Sequence, residues 1–317
     1  MAEGKLLRVI QGKEVFALAF GAMIGWSWVA LSGNWIAAAG SLGAMLAFLV
    51  GGVAVIFVGF TYAELTAAMP QAGGEHVYSY RALGRQAAFV CTWAILLGYT
   101  SVVAFEAVAL PTVLEYLVPG FARGHLWTIA GWEVKFTWVL VGIIAAVLMT
   151  LINIIGIQTA TRLQMLVTLV ILLVGLVLAG GSLVSGSVDN MQPYFDHGAK
   201  GVLGVLVMVP FMFVGFDVVP QSAEEADMPF RDIGTTLMLS IIMAVIWYSV
   251  IIWSVSSGLN EAERNAASLP TADAAVAVLG GSWAGKLVVI GGIAGILTSW
   301  NAFLIGGSRA LLAAPAG

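Results

Sequence analysis

Glu106 and Asp217 are carboxylates set inside apolar stretches of the chain. An ionisable group at membrane depth is costly, and it is by default a candidate for ligand binding or proton transfer. Glu106, between Val103 and Leu110, suits a proton carrier or a partner for an ammonium group. The structural alternative is a neutral carboxyl hydrogen-bonded within a helix bundle. Asp217 closes the run Phe213–Asp217 (FVGFD), where it can attract an ammonium, carry a proton, or accept N–H bonds from a disrupted backbone. The last is an ordinary capping use of Asp and is compatible with the other two. Thr298 and Ser299 add adjacent hydroxyls. With backbone carbonyls these form an oxygen set suited to a hard cation such as sodium, although helical Ser and Thr commonly bond their own backbone instead. Trp26 and Trp300 offer ring faces that attract ammonium or guanidinium groups, against a default of packing or lipid contact.

The backbone that must position these groups is itself unusual. The stretch Val202–Asp232 begins as an apolar helix but contains Pro210, Gly215, Asp217 and Pro220. Proline removes a donor and glycine lowers helix stability, so the helix is expected to break there. The first apolar run carries Gly21, Gly25, Ser27 and Gly33, and its centre, GAMIGWS, is a poor helix former. In lipid, irregular backbone is tolerated only inside protein or beside a polar cavity. A broken helix offers free carbonyls on one side and free N–H groups on the other, which together suit an amino acid or an amine. Ile24, Gly25, Trp26 and Ser27 in the first break, and Val214, Gly215 and Asp217 in the second, are therefore the candidate substrate-binding residues.

Hydrophobic residues make up 60% of the 317 and charged residues 9%, which excludes an ordinary soluble domain. No basic stripe suggests nucleic acid, and no HExxH, P-loop or nucleotide-binding glycine fingerprint suggests a metal or cofactor. Cys91 is the single cysteine, and His76, His125 and His197 fall in predicted loops, so no enzyme-like set is expected inside the membrane. The amino terminus lacks a cleavable signal pattern, so the first apolar run is read as a retained helix. Apolar runs predict helices near 14–38, 41–68, 87–117, 136–156, 162–185, 202–224, 233–257 and 285–306. Trp127, Trp132 and Trp138 cluster at one loop as interfacial aromatics do, and the membrane lipid is the expected surround.

With the amino terminus in the cytoplasm, eight basic residues face inward (Lys5, Arg8, Lys13, Arg81, Arg85, Arg162, Arg231 and Arg309) and five outward (Arg123, Lys135, Lys200, Arg264 and Lys286). That bias supports a multi-pass protein of the cytoplasmic membrane with its amino terminus inside. Residues 1–317 read as one membrane domain, with helices one to five in 1–185 and six to eight in 202–317. The two interrupted helices are five apart and so cross in opposite directions, the pattern of an inverted repeat with a central site.

At these residues the chain resembles the amino acid–polyamine–organocation (APC) permease superfamily. Phe213–Asp217 with Ala223–Glu225 (AEE), Pro229 and Arg231 is similar to the family's sixth helix. Tyr62–Leu65 (YAEL) with Pro70, Gly73, Gly74 and Tyr78 resembles the end of its second. Asn301 and Ser308–Arg309 resemble its eighth, and Gly156 with Gln164 its connection between helices four and five. The resemblance covers essentially the whole chain and implies an all-α membrane protein with the APC/LeuT-like inverted-repeat fold. It also implies that these are the first eight of twelve transmembrane helices, and the chain reads as truncated after the eighth.

The same resemblance places a gating aromatic at Phe211, an aromatic near the helix-eight site at Trp300, and an inner gate or loop anchor at Glu224, Glu225 and Asp227 with Arg231. Arg81, Arg85 and Arg162 are expected on the same face, and Glu64 reads as a structural anchor. Gly25-Trp26-Ser27 departs from the family's first-helix pattern by placing bulk at the break, and Ile171 stands where some relatives carry lysine. The expected function is a secondary transporter importing an amino acid or related small amine by alternating access. It would be coupled to protons or sodium, or work by exchange. A polyamine or organic-amine permease and a non-transporting membrane sensor are the alternatives. No cofactor and no nucleic acid are expected.

Overall fold

The computed structural model describes residues 6–314, so Lys5 of the inward-facing set lies outside the described residues. The predicted spans appear in order. Span one is divided into α1 (Gly12–Met23), α2 (Ser27–Ala30) and α3 (Ser32–Ala39). Span two is α4 (Ser41–Ala68), which ends just before Pro70 because the residue preceding a proline avoids helical geometry. A short helix α5 (Glu75–Leu83) precedes span three, α6 (Arg85–Leu117). Strands β1 (His125–Ile129) and β2 (Trp132–Lys135) form an exposed antiparallel hairpin before spans four and five, α7 (Phe136–Ile155) and α8 (Ile157–Ser185). Span six is α9 (Gly198–Met212) followed, after five non-helical residues, by α10 (Val218–Gln221). Span seven is α11 (Phe230–Gly258). Two short helices, α12 (Glu261–Ala266) and α13 (Pro270–Leu279), lead to span eight, α14 (Ser282–Ala313).

Six of these helices are long and apolar enough to cross a membrane, and bent span one makes a seventh. Span six reaches membrane length only by counting both sides of its break.

Several expectations change. The first span is non-helical at Ile24–Trp26 as predicted, but its axis turns by 68° further on, between Gly12–Ala30 and Ser32–Ala39. Trp26 therefore sits at the interruption and not at the bend. The first turn of α13 pins the bend: Thr271 Oγ1 donates to the Trp28 carbonyl at 2.8 Å and pairs with Ser32 Oγ at 2.7 Å. His76 lies in helix α5, buried, with Nδ1 2.7 Å from Thr92 Oγ1, and His125 lies in β1. The sequence predicts loop at both positions; at His76 the reason is that α5 is too short and too polar to stand out by periodicity. The tryptophan cluster forms partly within the hairpin, where Trp132 packs edge-on against Trp138 at 5.1 Å.

The core is aromatic at its centre. Trp35, Phe48, Phe213 and Tyr248 interlock across α3, α4, the span-six break and α11, with Phe48 and Tyr248 centroids 5.0 Å apart. A polar relay ties span one to its neighbours: Asn153 Nδ2 donates to Asn301 Oδ1, Asn301 Nδ2 to Gln164 Oε1, and Gln164 Nε2 to the Ala17 carbonyl. This relay explains why Gln164 and Asn301 stand out in the sequence. Buried side-chain amides must be satisfied, and here each satisfies the next.

At the Phe230 end of α11 the acid cluster closes one face of the bundle. Glu225 binds Arg309 through two bonds of 2.7 and 3.0 Å, and Glu224 accepts from the Leu6 and Ala72 amides. Val9 and Ile10 donate to the Glu225 carbonyl, and Asp227 N–H donates back to Ile10, so the segment before α1 is tied to the segment after α10. The loop-anchor reading of the cluster holds, but its basic partner is Arg309, and among the described residues Arg231, Arg81, Arg85 and Arg162 form no ion pair. Glu64 is exposed and forms no ion pair among the described residues, so the anchor expected there is not seen. At the opposite end of α11, buried Arg264 donates to the carbonyls of Asn190, Gln192, Ser256 and Leu259.

Candidate functional site

The break in span six is closed by its own acid. Gly215 adopts φ of 125°, a region in which only glycine is at ease, and a Cβ there would stand 2.6 Å from Ala22 Cβ. The backbone of span six thus rests directly on span one. Asp217 Oδ1 accepts the Gly215 N–H at 2.9 Å, and Oδ2 accepts the Tyr99 hydroxyl at 2.5 Å. Both carboxylate oxygens are held by protein donors.

The break in span one is more open. Gly21 packs on Gln164, Thr168 and Thr298, which leave no room for a side chain. One turn later Gly25 faces Glu106 and Ser299, with Glu106 Oε1 3.6 Å and Ser299 Oγ 3.9 Å from where a Cβ would stand. Gly292 and Gly295 of α14 receive the break: the Trp26 ring lies on Gly292, and the Ile24 and Gly25 carbonyls lie against Gly295. Glu106 is 3% exposed, and its Oε2 has no hydrogen-bond partner. A buried polar atom normally finds a partner, and this oxygen is left free to accept one.

Tyr248 joins the two breaks. Its hydroxyl donates to the Met23 carbonyl at 2.8 Å, lies 3.3 Å from the Met212 carbonyl, and is 3.1 Å from Ser27 Oγ. One phenol therefore occupies carbonyl groups freed by both interruptions, at the level where Gly215 meets Ala22.

The predicted residues divide accordingly. Ile24, Gly25, Trp26, Ser27, Glu106 and Ser299 come together at the first break. Thr298 faces Gly21 but gives its hydroxyl hydrogen to the Gly295 carbonyl at 2.8 Å, the ordinary helical use. Gly215 and Asp217 adjoin the first break from the side of span six. Trp300 is fully buried in the core. Phe211 and Val214 do not face the first break, although Val214 lies within the second: Phe211 is 69% exposed and Val214 38%, on the outer side of α9 and the segment after it. The helical phase is the reason, since α9 buries Val205, Val209 and Met212 and so turns position 211 away. Tyr99, Tyr248, Glu75 and Gln221 escaped the sequence reading. Tyr99 and Tyr248 lie in apolar runs where one hydroxyl leaves no periodic signal, whereas Glu75 was legible as an acid beside the Gly73-Gly74 turn.

A family model described as amino acid permease matches residues 10–314. The chain is 27% identical over 317 residues to the branched-chain amino acid permease BcaP of Bacillus subtilis, covering 98% of this chain and 68% of that protein. It is 24% identical over 314 residues to the aspartate–proton symporter of Bacillus subtilis, covering 95% of this chain and 59% of that protein. Its fold is similar to that of Mhp1, a nucleobase-cation-symport-1 family transporter solved in a closed conformation with bromovinylhydantoin bound. That likeness has a TM-score of 0.64 at 12% identity, and covers all of this chain and 70% of the other.

Proposed function

Because the chain belongs to the amino acid permease family, we propose that it carries an amino acid or a related small amine across the cytoplasmic membrane by alternating access. The amino terminus is assigned to the cytoplasmic side, with Arg8 and Arg309 bound into the same closed face, in keeping with the excess of inward basic residues. The observation that carries the reading is the unpaired Glu106 oxygen beside the Gly25 interruption. An ammonium group placed there would supply the missing donor, and the N–H groups of Gly25–Ser27 would hold the carboxylate of a small zwitterion. Asp217 belongs to the frame of this site, because both its oxygens already have donors. Protons are the better coupling ion, because Thr298 gives its hydroxyl to its own helix while Glu106 keeps a free oxygen.

An amine without a carboxylate fits the same acid, and the side chains gathered at the first break include no base to meet a carboxylate. Uptake by the chain reconstituted in liposomes, screened over amino acids and amines under proton and sodium gradients, tests the proposal. The expected result is proton-driven uptake of a small set of ammonium-bearing solutes. No uptake under either gradient sinks it, and ligand binding without flux would assign the chain to sensing instead.

A further inference from the structure

Away from the first break, a second buried carboxyl has an oxygen without a partner. Glu75 begins α5, is 8% exposed, and accepts a hydrogen bond at Oε2 from Nε2 of Gln221, which ends α10 and is fully buried. The remaining oxygen of each group, Glu75 Oε1 and Gln221 Oε1, is buried and unpaired. Two acceptors are thus left over on the very pair of groups that already share one bond. The Tyr62 hydroxyl stands close enough to interact with the Glu75 carboxyl, but Gln221 Oε1 has no partner.

A carboxylic acid and a primary amide can close a ring of two hydrogen bonds, N–H to one carboxyl oxygen and O–H from the other to the amide oxygen. A single proton on Glu75 Oε1 would pair both orphans at once. A carboxylate, an acceptor only, could not pair the Gln221 oxygen. We propose that Glu75 is a proton-binding site, protonated while it is locked to Gln221, and that it surrenders this proton when α5 and α10 separate on the cytoplasmic side. The coupling consequence rests on the transport reading above, whereas the protonation itself does not.

The surroundings agree. The titratable groups facing Glu75 are Asp217 of the span-six break, Tyr62 of α4, Tyr78 of α5 and Tyr99 of α6. Asp217 accepts from two donors, the arrangement of a carboxylate, and so opposes a second negative charge beside it. Burial, reinforced by Asp217, pushes the Glu75 carboxyl up to about 8. The lock also lies where two backbones meet: the Gly73 N–H donates to the Gln221 carbonyl, and a Cβ on Gly74 would stand 3.0 Å from Pro220. Parting these backbones would break the acid–amide ring and open Glu75 to water.

Infrared difference spectroscopy of the reconstituted chain reads the proton directly. The wild type should show a protonated-carboxyl stretch that fades as pH rises through about 8. Glu75→Gln should remove that band and still fold, because its amide can complete the same ring. The sign for stability follows: a carboxyl raised in the folded state stabilises fully below its unfolded value, and this contribution is lost as pH rises through about 8. Thermal stability of the wild type should decline over that window more steeply than that of Glu75→Gln. If Glu75→Gln fails to fold, Gln221→Leu decides, since removing the amide must shift both the frequency and the titration of the band. Identical carboxyl bands in wild type and Glu75→Gln, or a band indifferent to Gln221→Leu, would overturn the assignment while leaving the transport reading standing. A normal band without uptake would do the reverse.

Discussion

The two broken spans differ in what their acids do. At span six, Asp217 has both oxygens bound by Tyr99 and the Gly215 amide, and the backbone is pressed against Ala22. At span one, Glu106 keeps a buried oxygen free beside Gly25, where ordinary contact distances leave some space. A saturated carboxylate fixes geometry, whereas an unsatisfied one is held ready for a partner. On the reading proposed above, the break in span six is the frame and the break in span one is the binding element.

That contrast is tested most severely at Glu106. Glu106→Gln keeps the shape and removes the charge, so the ligand's ammonium loses a charge-assisted bond. Affinity should fall on the order of 10- to 100-fold while thermal stability is held or raised. Ligand-induced thermal shift and uptake both read this, and a variant with wild-type affinity would remove Glu106 from the site. The glycines sharpen the same contrast. Gly215→Ala must place a methyl 2.6 Å from Ala22 Cβ at φ of 125°, and should destabilise the protein by roughly 2–4 kcal/mol. Gly25→Ala meets its nearest neighbour at 3.6 Å and should cost less than about 1 kcal/mol, but it should crowd the ligand. Equal destabilisation by the two in chemical unfolding would show that both breaks are packed alike.

How far the sequence could reveal this division depends on the kind of signal. Proline, glycine and charge inside apolar runs are read one residue at a time, so both interruptions, Glu106 and Asp217 were visible without coordinates. The long helices were equally legible, because α4 and α7 end where proline or glycine ends an apolar run. Partnership was not legible. Nothing in the sequence pairs Tyr99 with Asp217, puts the Tyr248 hydroxyl between Met23 and Met212, or chooses Arg309 over Arg231 for Glu225. These contacts join residues 36 to 225 positions apart, and only packing brings them together. Asp217 shows the consequence: its type and depth fit a ligand, a proton carrier or a cap alike, and only its partners show that both oxygens are already engaged.

Asp217→Asn tests the frame directly. Asparagine has one acceptor oxygen, so accepting the Gly215 N–H turns its amide N–H toward the Tyr99 hydroxyl. The loss of one charge-assisted bond should lower stability by about 1–2 kcal/mol, with ligand affinity nearly unchanged. Tyr99→Phe, which removes the donor and leaves the acid, should reproduce the stability loss. Abolished binding in Asp217→Asn at full stability would reverse the roles of the two breaks.

The smallest effect is expected at Phe211, where sequence similarity and structure disagree. The motif puts a gating aromatic there, yet Leu203, Val207 and Phe211 form a stripe along α9, 57%, 81% and 69% exposed, opposite the buried Val205, Val209 and Met212. An aromatic in that phase cannot close over Gly25 unless α9 rotates, and Val209 and Met212 hold it by their burial. Phe211→Ala should therefore change stability by less than about 0.5 kcal/mol and leave ligand affinity intact. A loss of affinity comparable to that of Glu106→Gln would mean that the substrate passes along the outer stripe of α9, and the frame at span six would have to be counted as part of the path.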